Sequence, residues 1–510
     1  MYHSRRDFLS TVSALAISSV ATAQQSSTTS DMELTSMSAT QLADSIANGT
    51  VSSEEAVKAY LKRLEQVNPQ INAVVQFAKN SLKDARKADI ARQRGGPIGP
   101  LHGVPFTIKD CIETAGIVTT CGMPELEGYI PQKDAAVVQR LKDAGGILLG
   151  KTNVPEFCLF NDTRNRIYGR TVNPHDTSRI TDGSSGGEAA IIASCGSAFG
   201  IGTDIGGSIR GPSHYCGIAG IKPTAGIVPD DGVLNCFPPA NWGWNSTGPM
   251  ARCVEDLGLV LDVIADRFDS LQKPVDVSKL RIAYFVAASD DASPPIDGIQ
   301  DAVRKAAKHF DDIGATVVED RPECFRDASV TWWLNMNPDL GTAIQMSRKE
   351  YAKLTNKNGI SDRYTPIAKL VLQWQELLVQ EGRYTDEQRY ISGRKLHEFR
   401  SDMRKFMNNY DLILCPPDDQ VAPKYEDGID HLPPVNQIFQ KIIVDGGNFT
   451  QAFNIMGWPV VCVPISQTND PLPLPIGIQV VATTGRDRLA LQAAQVLEAE
   501  FGGWRRPKAI

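Results

Sequence analysis

Three short stretches of the chain carry residues that could do chemistry. Ser184 and Ser185 lie in the pentapeptide GSSGG, and Ser208 follows two glycines in the segment GTDIGGSIR. Lys109 ends the apolar run at residues 103–108, which would deliver its amino group into a covered interior. A serine hydroxyl becomes an effective nucleophile when a neighbouring base takes its proton, and a neutral lysine is such a base. These residues therefore indicate nucleophilic chemistry on an acyl compound.

The two glycines before Ser208 also suit an oxyanion hole, because they let the backbone turn until consecutive N–H groups point to one place. A lysine is a base only when neutral; its ordinary pKa is about 10.4, and burial lowers that value. The alternative is that Lys109 forms an ion pair with Asp110 or Asp204 and that the glycines only shape turns. The residue types alone leave both interpretations open.

Two other motifs compete with this hypothesis. Residues 145–152, GGILLGKT, match a phosphate-binding loop, but their helix–glycine–strand order is the reverse of the strand–loop–helix order that such a loop needs. The pattern G-x-S-x-G would make Ser185 the nucleophile of an α/β-hydrolase-type esterase, with His397 or His431 as the base. That motif needs an apolar strand leading into it, whereas residues 176–182 are polar. It is the weaker alternative.

The composition is that of a globular enzyme. The 510 residues are 42% hydrophobic and 22% charged, which excludes a disordered, collagenous or coiled-coil chain. With 52 basic and 59 acidic residues the net charge is −7, so the chain lacks the field that attracts nucleic acids, and we expect no nucleic-acid partner. The ten cysteines form no C-x-x-C pair, so we expect buried free thiols and no metal cluster.

The N-terminus has the pattern of an export signal. The motif SRRDFL at residues 4–9 resembles a twin-arginine signal, and an apolar stretch follows it, ending in the small residues Ala-Thr-Ala. We predict a signal peptide over 1–23, a polar tail over 24–34 and one catalytic domain over 35–510, with a periplasmic or secreted location. The apolar stretch is too short for a membrane span of about 20 residues, and we expect no span elsewhere. The alternative is an ordinary N-terminal helix.

Helical and strand patterns alternate along the chain, which predicts an α/β sheet protein. Helices are expected at residues 38–48, 52–67, 134–144, 188–195, 254–265, 299–313, 338–409 and 489–501. Strands are expected before Asp110 and at 147–149, 280–285, 411–415, 460–464 and 476–481. No low-complexity linker divides them, so one large domain is expected.

Taken in order along the chain, several long motifs resemble those of the amidase signature family. They are GPLHGVPFTIKD at 99–110, LGKTNVPEF at 149–157, GSSGG at 183–187, GTDIGGSIR at 202–210, CGIAGIKPT at 216–224 and GPMAR at 248–252. The resemblance implies a single α/β domain with a central mixed, mostly parallel sheet covered by helices. It also implies a hydrolase that uses a Ser–cis-Ser–Lys triad without metal or cofactor.

The catalytic roles follow from the resemblance residue by residue. The lysine base falls on Lys109, the cis-serine on Ser184 and the acylated nucleophile on Ser208. The implied reaction splits the C–N bond of a small carboxylic amide and releases a carboxylate plus an amine or ammonia.

The resemblance also implies substrate-binding groups. The oxyanion amides fall on Ile205, Gly206, Gly207 and Ser208, and Cys158 falls where fatty-amide-cleaving relatives meet the acyl chain. Asp182 and Gly211 depart from the family pattern, which leaves the shape of the acyl pocket open. Tryptophans could line such a pocket, although buried packing is the more ordinary role; they are Trp242, Trp244, Trp332, Trp333 and Trp374.

Two other functions remain open from sequence. One is an ammonia-supplying subunit of a glutamine-dependent tRNA amidotransferase, which shares these motifs but works in the cytosol. The other is a catalytically idle binding protein. The sequence does not fix whether the chain works alone or as a homodimer.

Overall fold

The structure is a computed structural model. It describes residues 30–510 apart from 235, 237–238, 267, 269–274, 356–361, 370, 374–384 and 426–448. The predicted signal at 1–23 lies outside the described residues, as do His431 and Trp374. The described chain opens with a helix, Asp31–Ser36, in which Leu34 is buried, so the end of the stretch predicted as a tail belongs to the folded domain.

Strands of very different length make up the sheet structure. In chain order they are β1 (Val74–Phe77), β2 (Pro105–Lys109), β3 (Ile147–Thr152), β4 (Arg164–Asn165), β5 (Gly169–Arg170), β6 (Val172–Asn173), β7 (Asp176–Ile180), β8 (Phe199–Asp204), β9 (Ala219–Lys222), β10 (Ser246–Ala251), β11 (Arg281–Tyr284), β12 (Thr316–Glu319), β13 (Leu412–Cys415), β14 (Val460–Gln467) and β15 (Pro475–Val481). Eleven of them form one sheet in the order β1-β3-β2-β8-β10-β9-β14-β15-β13-β11-β12.

The expectation of one domain with a mixed sheet is confirmed, but the expectation of a mostly parallel sheet is wrong. Six strand pairs are antiparallel and four are parallel. A short connection between β14 and β15 permits only a hairpin, because parallel pairing needs a crossover of a dozen residues or more. β10 pairs antiparallel with both its neighbours, β8 and β9.

Helices cover the sheet. They are α1 (Asp31–Ser36), α2 (Ala39–Asn48), α3 (Ser53–Ile71), α4 (Ser81–Gln93), α5 (Ala136–Asp143), α6 (Gly186–Ala193), α7 (Arg210–Cys216), α8 (Val254–Ile264), α9 (Asp297–Asp312), α10 (Ala328–Leu354), α11 (Asp386–Met407), α12 (Gln451–Met456) and α13 (Asp487–Phe501). Ser52 caps α3 through a capping box with Glu55, as the spacing predicts. In the described part of the chain, no helix has the length and apolar character to cross a membrane.

Three parallel strands, β3, β2 and β8, place the catalytic candidates on one edge of the sheet. Lys109 is the last residue of β2, and Asp204 is the last residue of β8, directly before the loop that carries Ser208. The two strands pair in parallel, with Ile108 opposite Ile201. Carboxyl ends of parallel strands meet at the same edge, where open α/β sheets bind their ligands.

Glycines in β8 let α6 pack directly on the strand. A Cβ on Gly200 would lie 2.0 Å from Glu188 Oε2, and one on Gly202 would lie 2.8 Å from Ser185 Oγ. The Glu188 carboxyl in turn accepts hydrogen bonds from Thr107 on β2 and from a threonine on β3. The segment after Ser184 is therefore fixed by close contact with the strand that leads to Ser208.

We predict that Gly200→Ala destabilises the fold by about 1–3 kcal/mol, since the added methyl group displaces a buried carboxyl. Gly258→Ala is the matched control. Gly258 lies within α8 with no atom within 4 Å of an added Cβ, so alanine there should stabilise by roughly 0.5–1 kcal/mol. Urea unfolding of both variants measures the difference, and equal effects would contradict the close-packing argument.

Candidate active site

The amino group of Lys109 donates a hydrogen bond to the hydroxyl of Ser184. Its Nζ is 2.7 Å from Ser184 Oγ and 2.8 Å from Thr203 Oγ1, and both Lys109 and Ser184 are buried. The ion-pair alternative is not what the structure shows, because the Asp110 carboxyl accepts from Thr120 and Asp204 pairs with an arginine. Lys109 is therefore placed to exchange a proton with a serine.

Burial alone does not single out this lysine. Lys151 and Lys222 are also fully buried, and burial lowers the pKa of Lys151 to about 8 and that of Lys222 to about 7. The Lys151 amino group, however, is 2.7 Å from Thr119 Oγ1, and that of Lys222 is 2.9 Å from the carbonyl oxygen of Pro223. Of the three, Lys109 is the one whose hydrogen bond reaches a candidate serine.

The peptide bond between Gly183 and Ser184 is cis, at the serine for which the family resemblance implies it. The backbone before it is held by two threonines, since Thr163 and Thr181 donate to the Asp182 carbonyl oxygen at 2.7 and 3.0 Å. A Cβ at Gly183 would lie 2.1 Å from the Phe160 carbonyl oxygen, so this close approach requires glycine.

Ser208 lies beside this serine pair. The backbone N–H of Ser185 donates to the Ser208 carbonyl oxygen at 3.1 Å, which joins the two segments. Ser208 is partly exposed, whereas Ser184 and Lys109 are buried. Of the three candidates, Lys109 and Ser184 are covered and in contact, and Ser208 lies in the neighbouring segment with part of its surface exposed.

A buried ion pair shapes the loop around Ser208. The Asp204 carboxylate accepts from the Gly207 N–H at 2.9 Å and the Ile209 N–H at 3.1 Å. Arg210 binds the same carboxylate in a bidentate manner at 2.8 and 3.0 Å, and neither side chain is exposed. Although burial acts to raise the pKa of Asp204, Arg210 holds it well below its usual value, so Asp204 stays ionised.

This ion pair changes the predicted oxyanion hole. The Gly207 N–H already donates to Asp204, so the row predicted at residues 205–208 is interrupted there. The Ile205 carbonyl oxygen accepts from Trp332 Nε1 at 2.9 Å. In a trans peptide the oxygen and the next N–H point in opposite directions, so the Gly206 N–H faces away from Trp332. The candidate donors are the amides of Ile205, Gly206 and Ser208.

Several residues of the site carry no recognisable signal in the sequence. Thr450 donates to the Gly206 carbonyl oxygen at 2.6 Å, and Asn454 donates to Asp204 at 2.8 Å. Trp332 packs against the same loop. Separations of 244 and 250 residues from the positions that they contact hide Thr450 and Asn454, because no local spacing rule finds such partners. Trp332, in contrast, is one of the tryptophans that the sequence offers as a pocket lining.

Cys158 lies in a cluster of buried thiols next to Lys109, since Cys111 of this cluster is 4.0 Å from Thr203 Oγ1, a hydrogen-bond partner of Lys109. Its Sγ is 3.6 Å from that of Cys121, and both side chains are buried. All ten cysteines are free, in agreement with the expectation of unpaired thiols. The structure gives Cys158 no hydrogen bond to Lys109, Ser184 or Ser208, so its role towards an acyl chain stays a prediction.

The esterase alternative lacks a base in the described residues. The Ser185 hydroxyl bonds to the backbone of Thr203, at 3.3 Å to the carbonyl oxygen and 3.4 Å to the nitrogen. His397 is exposed on α11, and His431 lies outside the part of the chain that the structure describes. Ser185 therefore acts as a packing and hydrogen-bonding residue.

Known proteins are similar to this chain over most of its length. The amidase family model matches residues 55–491. The chain is 32% identical over 492 residues to an acylamidase of Rhodococcus erythropolis, across 91% of this chain and 95% of that protein. It is 30% identical over 503 residues to a glutamyl-tRNA(Gln) amidotransferase subunit of Caldanaerobacter subterraneus, across 94% and 99%. The solved structure of 6-aminohexanoate cyclic dimer hydrolase complexed with substrate is similar at TM-score 0.79 and 26% identity, covering 94% and 99%.

The match to these proteins over nearly the whole chain identifies a class of enzymes that act on amide bonds. The family model matches residues 55–491, which is enough to assign the chain to one family within this class. The chain belongs to the amidase signature family.

We predict that Arg210→Met destabilises the protein by about 3–5 kcal/mol at pH 7, because it leaves Asp204 ionised and unpaired in the interior. The folded pKa of Asp204 lies below its unfolded value, so the stabilisation by this carboxylate is present above about pH 4 and lost as the pH falls further. The difference between variant and wild type should therefore shrink below about pH 4. Urea unfolding at neutral and acidic pH measures it.

Lys308→Met serves as the control for that experiment. Lys308 pairs with Asp312 at 2.6 Å on the exposed face of α9, where such pairs contribute little. No measurable change is expected there. A loss of the same size in both variants would show that general charge removal, and not the buried pair, sets the stability.

Proposed function

We propose that this protein hydrolyses linear carboxylic amides through an acyl-enzyme on Ser208. The observation that carries the proposal is the 2.7 Å contact between the buried Lys109 Nζ and the buried Ser184 Oγ, next to the loop of Ser208. The Lys109 amino group has Ser184 and Thr203 as its hydrogen-bond partners, so it is positioned to act on the serine hydroxyl.

The first half of the reaction forms the acyl-enzyme. Neutral Lys109 takes the proton of Ser184, which takes the proton of Ser208 as the Ser208 oxygen attacks the amide carbonyl carbon. Loop amides at Ile205, Gly206 and Ser208 stabilise the negative charge that develops on the carbonyl oxygen. The proton then returns through Ser184 to the amide nitrogen, and the C–N bond breaks to release an amine or ammonia.

The second half removes the acyl group. A water molecule attacks the ester carbonyl carbon, and its proton passes along the same serine and lysine. The ester bond to Ser208 then breaks, which releases the carboxylate and restores the Ser208 hydroxyl. Each proton that the lysine takes is given back, so the cycle closes without a metal or a cofactor.

The amidotransferase subunit is the second candidate function. The 30% identity to such a subunit over nearly the whole chain favours this second function. The name of that relative describes it as one subunit of an amidotransferase. An amidase of simple amides works as a single purified chain. Release of ammonia or amine from small amides by the lone protein therefore separates the two functions.

We also propose that the protein is exported by a twin-arginine route to the periplasm or the medium. The motif SRRDFL and the apolar stretch after it support this proposal. Export would separate the chain from the cytosolic partners that an amidotransferase needs.

We predict that the purified chain hydrolyses small amides and that Ser208→Ala lowers the rate by at least about 10³-fold, because the acylated atom is lost. The variant should also fail to react with a fluorophosphonate probe. Ser185→Ala is the matched control and should keep the probe reaction. The reverse result, an active Ser208→Ala and a dead Ser185→Ala, would replace the proposal with the esterase alternative.

Lys109→Ala should slow amide hydrolysis by about 10²–10⁴-fold or more, since the base takes a proton and later supplies one to the amine. Hydrolysis of a phenyl ester of the same acid should fall less, because a phenoxide leaves without full protonation. Steady-state rates on the matched pair test this. His397→Ala should keep its activity, and a folded but inactive histidine variant would refute the lysine mechanism.

Changing Arg5 and Arg6 together to lysine should retain the protein inside bacterial cells, because the twin-arginine pair is what the export machinery reads. Fractionation followed by immunoblotting measures the location. Equal export of the double variant would refute the proposed route and weaken the argument against the amidotransferase.

A further inference from the structure

One carboxyl group beside the two catalytic serines has no part in the proton relay. Asp182 precedes the cis peptide Gly183–Ser184, and its side chain is only 5% exposed. Its Oδ1 has no hydrogen-bond partner among the residues that the structure describes. Buried carboxyl oxygens are almost always hydrogen-bonded, so one that is not is a place where a ligand can supply the missing donor.

The position of this carboxyl depends on a glycine. Asp182 Oδ2 lies 1.7 Å from the point that a Cβ on Gly211 would occupy. Gly211 comes three residues after Ser208, in the first turn of α7, and its N–H donates to the Gly207 carbonyl oxygen at 2.8 Å. Any side chain at position 211 would displace the carboxyl. Asp182 and Gly211, the two departures from the family pattern, therefore belong together: the Asp182 carboxyl occupies the space that a side chain at position 211 would fill.

Among the residues that the structure describes, no basic side chain forms an ion pair with the Asp182 carboxyl. Burial raises the pKa of Asp182 to about 8, the Gly183 amide lowers it in part, and the negative Asp204 raises it further. Arg210, on the same helix as Gly211, has its charge committed to Asp204. Burial, then Asp419 and then Asp182 raise the pKa of Asp418, so a second acid faces the same region.

The hydrogen-bond partner of Asp418, the hydroxyl of Tyr215, brings no positive charge to the two acids. The Asp418 carboxyl accepts from the hydroxyl of Tyr215 on α7 at 3.2 Å, and a neutral hydroxyl brings no positive charge. A cation that reached Asp182 would gain a charge-assisted hydrogen bond and would favour the ionised form of this carboxyl, which burial otherwise disfavours. A neutral alkyl group would gain neither.

We propose that Asp182, seated over Gly211, is a substrate-binding residue and that the preferred amides carry a protonated amine near the scissile carbonyl group. The inference rests on the proposed amidase function and narrows its substrate class. Asp182 forms the ion pair with the ammonium group, and the bare backbone of Gly211 gives the carboxyl its room.

The test uses the full-length mature protein and chromogenic anilides of ω-amino acids of increasing chain length. Each is matched to the acyl anilide in which a methyl group replaces the ammonium group. The quantity measured is the ratio of kcat/KM for the cationic and neutral members of a pair. The wild type should favour a cationic member, and Asp182→Asn should lower that ratio by about 10–100-fold, the range of a charge-assisted hydrogen bond.

Asp176→Asn is the matched control. Asp176 lies on the preceding strand β7 and already pairs with Arg179 at 2.9 Å, so its loss should leave the ratio unchanged. A third substrate arm carries a neutral carbamoyl group in place of the ammonium group. If the carbamoyl compounds are taken as well as the cationic ones, Asp182 is only a hydrogen-bond acceptor and the proposal falls.

The remaining outcomes are also decisive. A wild type that prefers the neutral member of every pair overturns the proposal, even if Asp182→Asn does not fold. A folded Asp182→Asn with an unchanged ratio overturns it too. If the wild type hydrolyses neutral amides without any preference, the amidase function stands and this inference alone fails. If it hydrolyses no amide at all, both fail.

Discussion

The buried ion pair between Asp204 and Arg210 is the constraint on which the rest of the site depends. One carboxylate binds two loop amides and a guanidinium group, and that guanidinium also reaches the Thr450 carbonyl oxygen and Gln479, each at 2.9 Å. This charge pair therefore joins three parts of the chain: strand β8, the loop that carries Ser208, and the hairpin of β14 and β15. Paired charges are tolerated in an interior only with such complete hydrogen bonding.

The candidate catalytic groups could be found from the sequence because short motifs contain them. Lys109, Ser184 and Ser208 each stand beside glycines or an apolar run, and the family resemblance assigns their roles. What the motifs could not reveal is competition for the same group: the Gly207 amide looks available, yet the Asp204 carboxylate takes it. Hydrogen bonds made by a side chain three residues away depend on how the loop folds.

The fold was predictable at the level of its class and less so in detail. Strand β8 went unrecognised because Gly200 and Gly202 interrupt the apolar pattern that marks a strand. Those same glycines let α6 pack directly on the strand. The residues that obscure the strand pattern in the sequence are therefore also the ones that allow the close packing beside Ser184. Strand direction was also beyond the sequence, since an apolar run is the same in a parallel or an antiparallel pair.

The residues that stabilise the Ser208 loop through Arg210 come from the C-terminal part of the chain. Thr450, Asn454 and Gln479 lie 240 to 269 residues after the arginine that they hold. During translation, both serines and the lysine leave the ribosome long before these partners exist. The contacts that hold this loop are therefore incomplete until residue 479 has been synthesised, close to the end of the 510-residue chain.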